Sequence, residues 1–365
     1  MPRPDRKRIG LAIVGGGRVG GFRGALAARH PMVDWIGLAE IRPDRAQATG
    51  REIGADVVTD DFRALIARPE VTAVIIATDE HLHVDPVLEA AARGLPMMIE
   101  KPLATTLADS ARVLEALRAG GADAVVGYTQ RFRRRWLTAK ARVAAGALGD
   151  VTLVTSRTLM NRLVALDVYR RAADAAAVSP MVISGTHALD IVMWMMEGKT
   201  PVEAYARSND RVLGPICGGI DATAGLITFD DGTMFHVSMS WALPVSWPAA
   251  VYSLEIGIVG TEGVLTIDDT HRDMVLAVDA PQAEGYSPDG RRLVDFLGSY
   301  PPGDMAFGEL WGPMREETLG WLDRVSMGVA SPHATAADAH RNLMLTKALD
   351  LSAKLGRPVR LPLEG

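Results

Sequence analysis

Short apolar runs alternate with helix-forming segments over the first 130 residues of the chain. Apolar runs of this kind, bounded by glycine, proline or polar residues, are typical of buried parallel strands. Repeated strand–helix units predict a parallel, doubly wound sheet. The predicted strands cover residues 9–14, 33–39, 71–77, 97–99 and 124–128, and the predicted helices cover residues 18–29, 43–53, 61–67 (capped by Asp60), 84–93 and 106–117.

After about residue 150 the pattern changes to shorter runs with alternating apolar and polar positions. Asp230-Asp231-Gly232 and Thr261-Glu262-Gly263 each separate two such runs, which is typical of β-hairpins. A mostly antiparallel sheet is therefore predicted here, with a loop over 279–305. The predicted strands are 151–158, 202–207, 222–229, 233–241, 253–259 and 263–267, and the predicted helices are 186–196, 312–326 and 335–355.

One strand of this second half has a continuous apolar face. Residues 233, 235, 237, 239 and 241 are Thr, Phe, Val, Met and Trp, and alternate positions of a strand point to the same side. Such a face must be covered by helices or by a second subunit. The chain as a whole is expected to be α/β, with an N-terminal Rossmann domain over 1–128 and a C-terminal α+β domain over 129–365.

Length, net charge and cysteine content indicate which general class of protein this chain belongs to. At 365 residues a chain of about two domains is expected. The net charge of −5 gives no electrostatic support for binding nucleic acid. Cys217 is the single cysteine, so no disulfide can form within the chain. The charged start lacks a signal-peptide core, and no apolar run approaches the roughly 18 residues of a membrane span, so a cytoplasmic protein is expected.

The first candidate site is the glycine-rich segment Gly15-Gly16-Gly17-Arg18-Val19-Gly20. It follows a predicted strand, opens a predicted helix and lies in a βαβ unit, which is the full context of a dinucleotide-binding motif. Glu40 ends the second strand, where a carboxylate accepts hydrogen bonds from the adenosine ribose and repels a 2′-phosphate. NAD is therefore expected rather than NADP, although Arg42 could soften that preference.

The second and third candidates are Glu100-Lys101-Pro102 and His187-x-x-Asp190. Lys101 follows a buried strand at the edge where such sheets bind ligands, and Pro102 is a candidate for a cis peptide bond. His187 and Asp190 share a helix face, and a histidine of near-neutral pKa can accept a proton from a substrate hydroxyl. A solvated ion pair and a core histidine are the alternative interpretations. His81 and His83 have no third ligand nearby in sequence, so no metal site is expected.

Taken together, these motifs resemble the Gfo/Idh/MocA family of NAD(P)-dependent oxidoreductases over nearly the whole chain. Their order and spacing carry the resemblance. The matching segments are the glycine loop, Thr78 with His83, Glu100-Lys101-Pro102, 127–132 (GYTQRF), His187-x-x-Asp190, 260–263 (GTEG) and the final 356–362 (GRPVRLP).

The resemblance implies roles for individual residues. Lys101 is expected to hydrogen-bond the reacting oxygen, and His187 is expected to be the general acid/base. Gln130 and Arg131 are expected near the nicotinamide, with Arg131 among the substrate contacts. Independently of the resemblance, Arg157 in the second half is available for an anionic or heavily hydroxylated substrate and is the other expected substrate contact. The expected cofactor contacts are Gly15, Gly17, Arg18, Val19, Gly20, Glu40, Arg42, Thr78, His83, Glu100, Lys101 and Gln130.

The chain departs from the family pattern at two places. Many members carry an aspartate four residues before the histidine, whereas this chain has Ile183. A proton relay through that carboxylate is therefore absent. The usual Thr-Pro-Asn after the fourth strand reads Thr78-Asp79-Glu80.

The expected activity is hydride transfer between NAD(P) and a secondary hydroxyl or ketone of a sugar, polyol or related cyclic alcohol. Alternatives are a reductase of a dihydrodiol, imine or aldehyde on the same scaffold, or a non-catalytic NAD(P)-binding sensor. Family members commonly pair through the C-terminal sheet, so a homodimer or homotetramer is expected. The expected partners are a small-molecule substrate and no nucleic acid or membrane.

Overall fold

The computed structural model describes residues 6–172, 178–247, 252–269, 274–283, 291–296 and 302–363. The chain divides into two compact units. The first comprises Met1–Phe132 and Gly308–His340, and the second comprises Arg133–Phe307 and Arg341–Gly365. The continuous ranges predicted from the sequence, 1–128 and 129–365, are corrected in one respect, because residues 308–340 return to the first unit.

The first unit is built of alternating strands and helices. Its strands are β1 (Ile9–Val14), β2 (Val33–Ala39), β3 (Val57–Thr59), β4 (Ala73–Ile76), β5 (Met97–Ile99), β6 (Ala124–Val126), β16 (Glu309–Trp311) and β17 (Ala334–Thr335). Its helices are α1 (Arg18–Ala27), α2 (Pro43–Glu52), α3 (Phe62–Ile66), α4 (Val84–Ala92), α5 (Leu107–Gly120) and α10 (Pro313–Met327), with the first residues of α11 (Ala336–Leu355).

The large sheet of this unit has the order β17-β6-β5-β4-β1-β2-β3. Its strands are parallel except β17, which pairs antiparallel with β6. This is the doubly wound Rossmann arrangement, and the strand order reverses between β1 and β4. Trp321 and Leu322 of α10 are fully buried against the β1 core, which explains why this late segment belongs to the first unit.

Most predicted elements of this unit are confirmed, and the caps explain where helices begin. Thr106 accepts a hydrogen bond from the Asp109 N–H and so precedes α5, which ends at Gly121 in the left-handed conformation. The predicted cap of α3 was wrong by one residue. Asp61, not Asp60, accepts hydrogen bonds from the Arg63 and Ala64 N–H groups.

The second unit combines helices with a second large sheet. Its strands are β7 (Val151–Asn161), β8 (Pro201–Asn209), β9 (Ala222–Phe229), β10 (Met234–Leu243), β11 (Tyr252–Gly260), β12 (Val264–Asp269), β13 (Val275–Ala283), β14 (Arg291–Phe296), β15 (Asp304–Ala306) and β18 (Val359–Arg360). Its helices are α6 (Arg134–Ala144), α7 (Arg162–Arg171), α8 (Thr186–Met195), α9 (Gly214–Cys217) and most of α11.

This sheet has the order β12-β11-β7-β10-β9-β8-β18 and is antiparallel except for the β7–β10 pair. The predicted apolar face is confirmed, since Phe235, Val237 and Trp241 are fully buried. They share one core with residues of α8 and α11 of the same unit. Helices of the chain itself therefore cover this face, and the opposite face of the sheet is exposed.

The loop predicted over 279–305 is partly wrong. The structure has β13, β14 and β15 in this stretch, and β13 pairs antiparallel with β14. Many of their described side chains are exposed, so the strands lack the buried positions that reveal a strand in sequence. Residues 284–290 and 297–301 lie outside the described residues. Among the helices that are described, none combines the length and apolar character needed to cross a membrane.

Candidate functional site

The glycine loop adopts a backbone that excludes side chains at two positions. Gly15 has φ +102°, and a Cβ there would lie 2.5 Å from the carbonyl oxygen of Ala77. A Cβ on Gly20 would lie 2.0 Å from the Gly15 carbonyl oxygen. The loop thus packs directly on the end of β4 and on the first turn of α1. A side chain at either position would displace the loop.

A cavity of about 500 Å³ opens in front of this loop, within the first unit. It lies at the carboxyl ends of β1, β2 and β4, where doubly wound sheets bind their ligands. Gly15, Gly17, Glu40, Arg42 and Thr78 all line it. The structure therefore brings together five of the residues predicted to contact the cofactor. Arg18 and Val19 follow in the first turn of α1, where Val19 packs on apolar neighbours.

The residues around the cavity fit a dinucleotide. No side chain caps the N-terminus of α1 at Gly17, so the N–H groups and positive dipole of its first turn suit a pyrophosphate. The buried Oγ1 of Thr78 has no hydrogen-bond partner among the described residues. A ligand in the cavity would satisfy it.

Glu40 is held against the glycine loop by backbone groups. Its Oε2 accepts a hydrogen bond from the Gly16 N–H (2.8 Å), and its Oε1 accepts one from the Arg42 N–H (3.0 Å). Arg45 Nη1 lies 3.6 Å from Oε2 and also lines the cavity. Arg45 was not among the residues predicted from the sequence, although its position one helical turn after Arg42 places both arginines at the start of α2.

Lys101 lies in the loop that follows β5, on the same edge of the sheet, and it is partly exposed. The Lys101–Pro102 peptide is cis. Both sequence neighbours of Lys101 are held by buried side chains. The Nε of Arg23 donates to Glu100 Oε1 (2.6 Å), and His83 Nδ1 lies 2.8 Å from the Pro102 carbonyl oxygen.

His83 and Glu100 therefore have structural partners in addition to the cofactor role expected of them. The other ring nitrogen of His83, Nε2, lies 3.1 Å from the Thr78 carbonyl oxygen, and the residue is 1% exposed. The imidazole thus connects the loop after β4 with the loop after β5. Glu100 shares the guanidinium of Arg23 with Glu317 of α10.

This buried ionic cluster was not predicted, because Glu317 is 294 residues from Arg23. Burial raises the pKa of Glu317 to about 7 despite the guanidinium beside it. Burial also works against the charge of Arg23, but Glu100 and Glu317 outweigh it and raise the pKa of the guanidinium. Burial lowers the pKa of the neighbouring His333 to about 3, so this imidazole is neutral.

Gln130 and Arg131 are buried in the short helical turn at Thr129–Phe132, after β6. The Arg131 guanidinium lies 3.5 Å from Asp338 Oδ2, within the first unit. Its burial and this ion pair indicate that Arg131 helps to hold the first unit together. A substrate contact through its guanidinium remains a prediction.

In the second unit, His187 is in the first turn of α8. The preceding residues Met181–Gly185 form a π-helical turn, a feature often found at functional sites. Over residues 181–193 only Ile183 and His187 are partly exposed. The side chain beside the histidine is therefore apolar where a carboxylate was expected from the family pattern.

Hydrogen bonds hold the segment on both sides of His187. The indole N–H of the fully buried Trp241 donates to Ser184 Oγ (2.9 Å). Tyr169 packs edge-on against the Trp241 ring, and its hydroxyl accepts a hydrogen bond from the Ile220 N–H. Asn342 donates to the buried Asp190 Oδ1 (2.9 Å), three residues after His187.

Arg157 is not brought to His187. It lies on the exposed face of β7 and pairs with Glu255 of β11, whereas α8 packs on the other face of the sheet. The substrate contact expected of Arg157 is therefore not supported within this unit. The alternation of buried residues along β7 gives the reason, since residues 154, 156 and 158 point inward.

Two family models match the chain. One, for the NAD-binding Rossmann fold of an oxidoreductase family, matches residues 9–128, and the other, for the Gfo/Idh/MocA C-terminal domain, matches residues 136–266. The chain belongs to the Gfo/Idh/MocA family of oxidoreductases. This confirms the predicted family, the two folds and an NAD-binding first domain.

Curated members of the Gfo/Idh/MocA family show similarity over part of the chain. An inositol 2-dehydrogenase of Gluconacetobacter diazotrophicus is 33% identical over 52% of this chain and 55% of that protein. The scyllo-inositol 2-dehydrogenase (NAD(+)) of Bacillus subtilis is 24% identical over 75% of this chain and 78% of that protein. The matches to the first two inositol 2-dehydrogenases span only 55% and 60% of their lengths.

Solved structures of the family share the fold over nearly the whole chain. GenD2 from gentamicin A biosynthesis, in complex with NAD, has a TM-score of 0.79 at 21% identity and covers 100% of this chain and 99% of its own. The scyllo-inositol dehydrogenase of Lactobacillus casei, with NAD(H) and scyllo-inositol bound, has a TM-score of 0.73 at 18% identity and covers 97% and 99%.

Proposed function

We propose that this protein is an NAD-dependent dehydrogenase of a polyol, sugar or related cyclic alcohol that carries a secondary hydroxyl. The observation that carries the proposal is Lys101, which lies on the same sheet edge as the dinucleotide cavity. The similarity to inositol 2-dehydrogenases supports this class of substrate.

We expect His187 and Lys101 to have different roles at the substrate oxygen. When bound, NAD supplies the carbon that accepts the hydride from the substrate. His187 takes the hydroxyl proton as the carbonyl forms, and returns it in the opposite direction. The ammonium of Lys101 donates a hydrogen bond to the same oxygen and stabilises the negative charge that develops there.

Ile183 means that His187 works without the neighbouring carboxylate that many relatives have. A carboxylate beside a histidine stabilises its protonated form. The Ile183 side chain gives no such support, so the proton is expected to pass on to solvent. Ile183 is also the feature that favours the alternative of a non-catalytic NAD-binding sensor. Reduction of a dihydrodiol, imine or aldehyde would use the same residues.

The proposed cofactor preference is NAD over NADP. The Glu40 carboxylate at the cavity disfavours a 2′-phosphate, and the nearby Arg42 and Arg45 reduce that effect. The other proposed cofactor contacts are Gly15, Gly17, Arg18, Val19, Gly20, Thr78, His83, Glu100, Lys101 and Gln130.

A homodimer or homotetramer is proposed through the exposed face of the second unit's sheet, in a cytoplasmic protein. Apolar side chains there include Tyr205, Met234, Val259 and Val264, and the last of these is 65% exposed. Val259 and Val264 are directly paired neighbours on this face, and contiguous exposed apolar residues are typical of protein interfaces.

The experiment is a titration with NAD and NADP, followed by absorbance assays of nicotinamide reduction across inositols, sugars and their oxidation products. We expect turnover with one group of chemically related substrates. Lys101→Met and His187→Gln should lose this turnover while they still bind NAD. Lys354→Met, in the last turn of α11, is the matched control. NAD binding without turnover of any substrate, in either direction, would favour the sensor.

A further inference from the structure

Glu317 is a fully buried carboxylate that the proposed reaction does not use. Its Oε2 accepts hydrogen bonds from Arg23 Nη2 (2.7 Å) and from Thr129 Oγ1 (2.8 Å). Its Oε1 has no hydrogen-bond partner within the described ranges. Glu317 does not line the dinucleotide cavity.

Arg23 is the group through which Glu317 reaches Lys101. The guanidinium is fully buried, and its Nε and Nη2 lie 2.6 and 2.5 Å from Glu100 Oε1. Its Nη1 donates to Thr318 Oγ1 (2.8 Å). One positive charge therefore faces two carboxylates in a region of low dielectric, and the two carboxylates compete for it.

Lys101 depends on this competition because Glu100 directly precedes it. On the other side of Lys101, the Pro102 carbonyl oxygen lies 2.8 Å from Nδ1 of the buried His83. The Glu100 side chain is 14% exposed, whereas that of Glu317 is 0% exposed. Of the two carboxylates, Glu100 is therefore the one that can move away from Arg23.

We propose that Glu317 is a positioning residue for Lys101: it competes with Glu100 for the guanidinium of Arg23 and thereby sets how firmly the segment 100–103 is held. This inference rests on the proposed role of Lys101.

The proton on Glu317 controls the competition. Burial raises the pKa of Glu317 to about 7, with Glu100 adding to the shift and Arg23 and Thr129 opposing it. His333 faces the cluster as a neutral imidazole, and Arg131 is paired with Asp338. Below pH 7 a neutral Glu317 leaves Arg23 to Glu100. Above pH 7 an ionised Glu317 draws Arg23 away and repels Glu100.

The test compares wild type with Glu317→Gln, which keeps the shape and removes the charge. Hydrogen–deuterium exchange of the peptide containing 100–103 is measured on the cofactor-free protein at about pH 6 and about pH 8.5. The two proteins should exchange alike at the lower pH. At the higher pH wild type should exchange about fivefold faster, the low end of typical coupling between sites.

Turnover gives the second readout. The ratio of kcat for Glu317→Gln to kcat for wild type, taken at each pH, cancels the pH dependence of the chemistry. It should rise from near 1 to about fivefold over the same range, with little change in KM. Thr318→Val removes a hydrogen bond to Arg23 without changing either carboxylate. Its exchange rate and its kcat, each relative to wild type, should therefore be independent of pH. Glu317→Met should behave like Glu317→Gln.

The outcomes separate this inference from the proposed function. If exchange changes as expected but no substrate turns over, the positioning role stands and the dehydrogenase proposal fails. The positioning role is overturned if turnover is found but neither the exchange rate nor kcat of Glu317→Gln and Glu317→Met, each taken relative to wild type, changes with pH.

Discussion

The two units stabilise the residues of their candidate sites in different ways. In the first unit, a buried guanidinium and two carboxylates lie directly behind Lys101. In the second unit, a neutral hydrogen bond from Trp241 to Ser184 lies before His187, and a hydrogen bond from Asn342 to the carboxylate of Asp190 lies after it.

The difference matters because the two kinds of contact respond differently to change. Neutral hydrogen bonds contribute about 1 kcal/mol each and do not titrate. A buried ionic cluster contributes little net stability, yet removing one member is costly and its charge varies with pH. The Lys101 site, with three charged members in one cluster, should therefore be the more sensitive of the two to single charge changes.

The largest expected effect is that of Arg23→Met. It leaves Glu100 and Glu317 close together without a counter-charge, and we expect a loss of about 3–5 kcal/mol in the free energy of unfolding. Urea titration followed by circular dichroism measures this loss. Arg29→Met, which breaks the exposed pair with Glu309 in the same unit, should cost at most about 1 kcal/mol. Equal losses would mean that burial of the cluster does not matter.

A smaller loss is expected for Ser184→Ala in the second unit. The indole N–H of Trp241 would be buried without an acceptor, at a cost of about 1–3 kcal/mol. Ser238→Ala, which removes a hydrogen bond to the Ser156 carbonyl in a less buried place, is the control and should cost less. A loss for Ser184→Ala as large as that for Arg23→Met would remove the contrast between the units.

The second unit also contains a titrating group, Asp350, which is a partly buried acid that accepts a hydrogen bond from Ser179. Burial raises its pKa to about 6, with Ser179 and Lys347 opposing the shift. The native state thus holds this proton more tightly than the unfolded chain does. The resulting stability is fully present below about pH 4 and is lost as the pH rises through 6.

Asp350→Asn should remove that part of the pH dependence, which amounts to about 1–3 kcal/mol between pH 4 and 7. Unfolding midpoints measured at several pH values for wild type and variant test this. An unchanged slope would show that Asp350 does not titrate in this range.

The smallest expected effect concerns cofactor choice. Arg45→Ala removes the positive charge 3.6 Å from Glu40 Oε2, so NADP should bind about threefold to tenfold more weakly while NAD changes little. Fluorescence titration gives both dissociation constants. Arg51→Ala, in the last turn of α2, is the control. Equal weakening of NAD and NADP would argue that Arg45 does not meet the 2′-phosphate.

Local patterns predicted the first unit well. Bounds such as 97–99 for β5 agree because a buried parallel strand is a continuous apolar run, and Gly15 and Gly20 are required by contacts close in sequence or on adjacent strands. The sequence did not show which face of β7 carries Arg157, because the buried positions 154, 156 and 158 are Val, Ser and Thr and the opposite positions 153 and 155 are Leu and Thr.

The ionic cluster could not be predicted in the same way. Arg23, Glu100 and Glu317 lie on three separate elements, and each occupies a position where a charged residue is ordinarily solvent-exposed. The contact between Arg23 and Glu317 depends on the return of α10 to the first unit, for which local periodicity carries no signal. The π-helical turn before His187, in which Ser184 accepts a hydrogen bond from the distant Trp241, is likewise beyond the reach of helix propensity.

The return of residues 308–340 also has a consequence for biosynthesis. A ribosome that has made the first 132 residues has made the whole parallel sheet from β1 to β6, but not Trp321, Leu322 or Glu317. Until α10 emerges, the apolar surface beneath it is exposed to solvent, and Arg23 lacks one of the two carboxylates that it pairs with in the folded unit. The nascent N-terminal unit must therefore wait for most of the second unit to be synthesised before its own core can close.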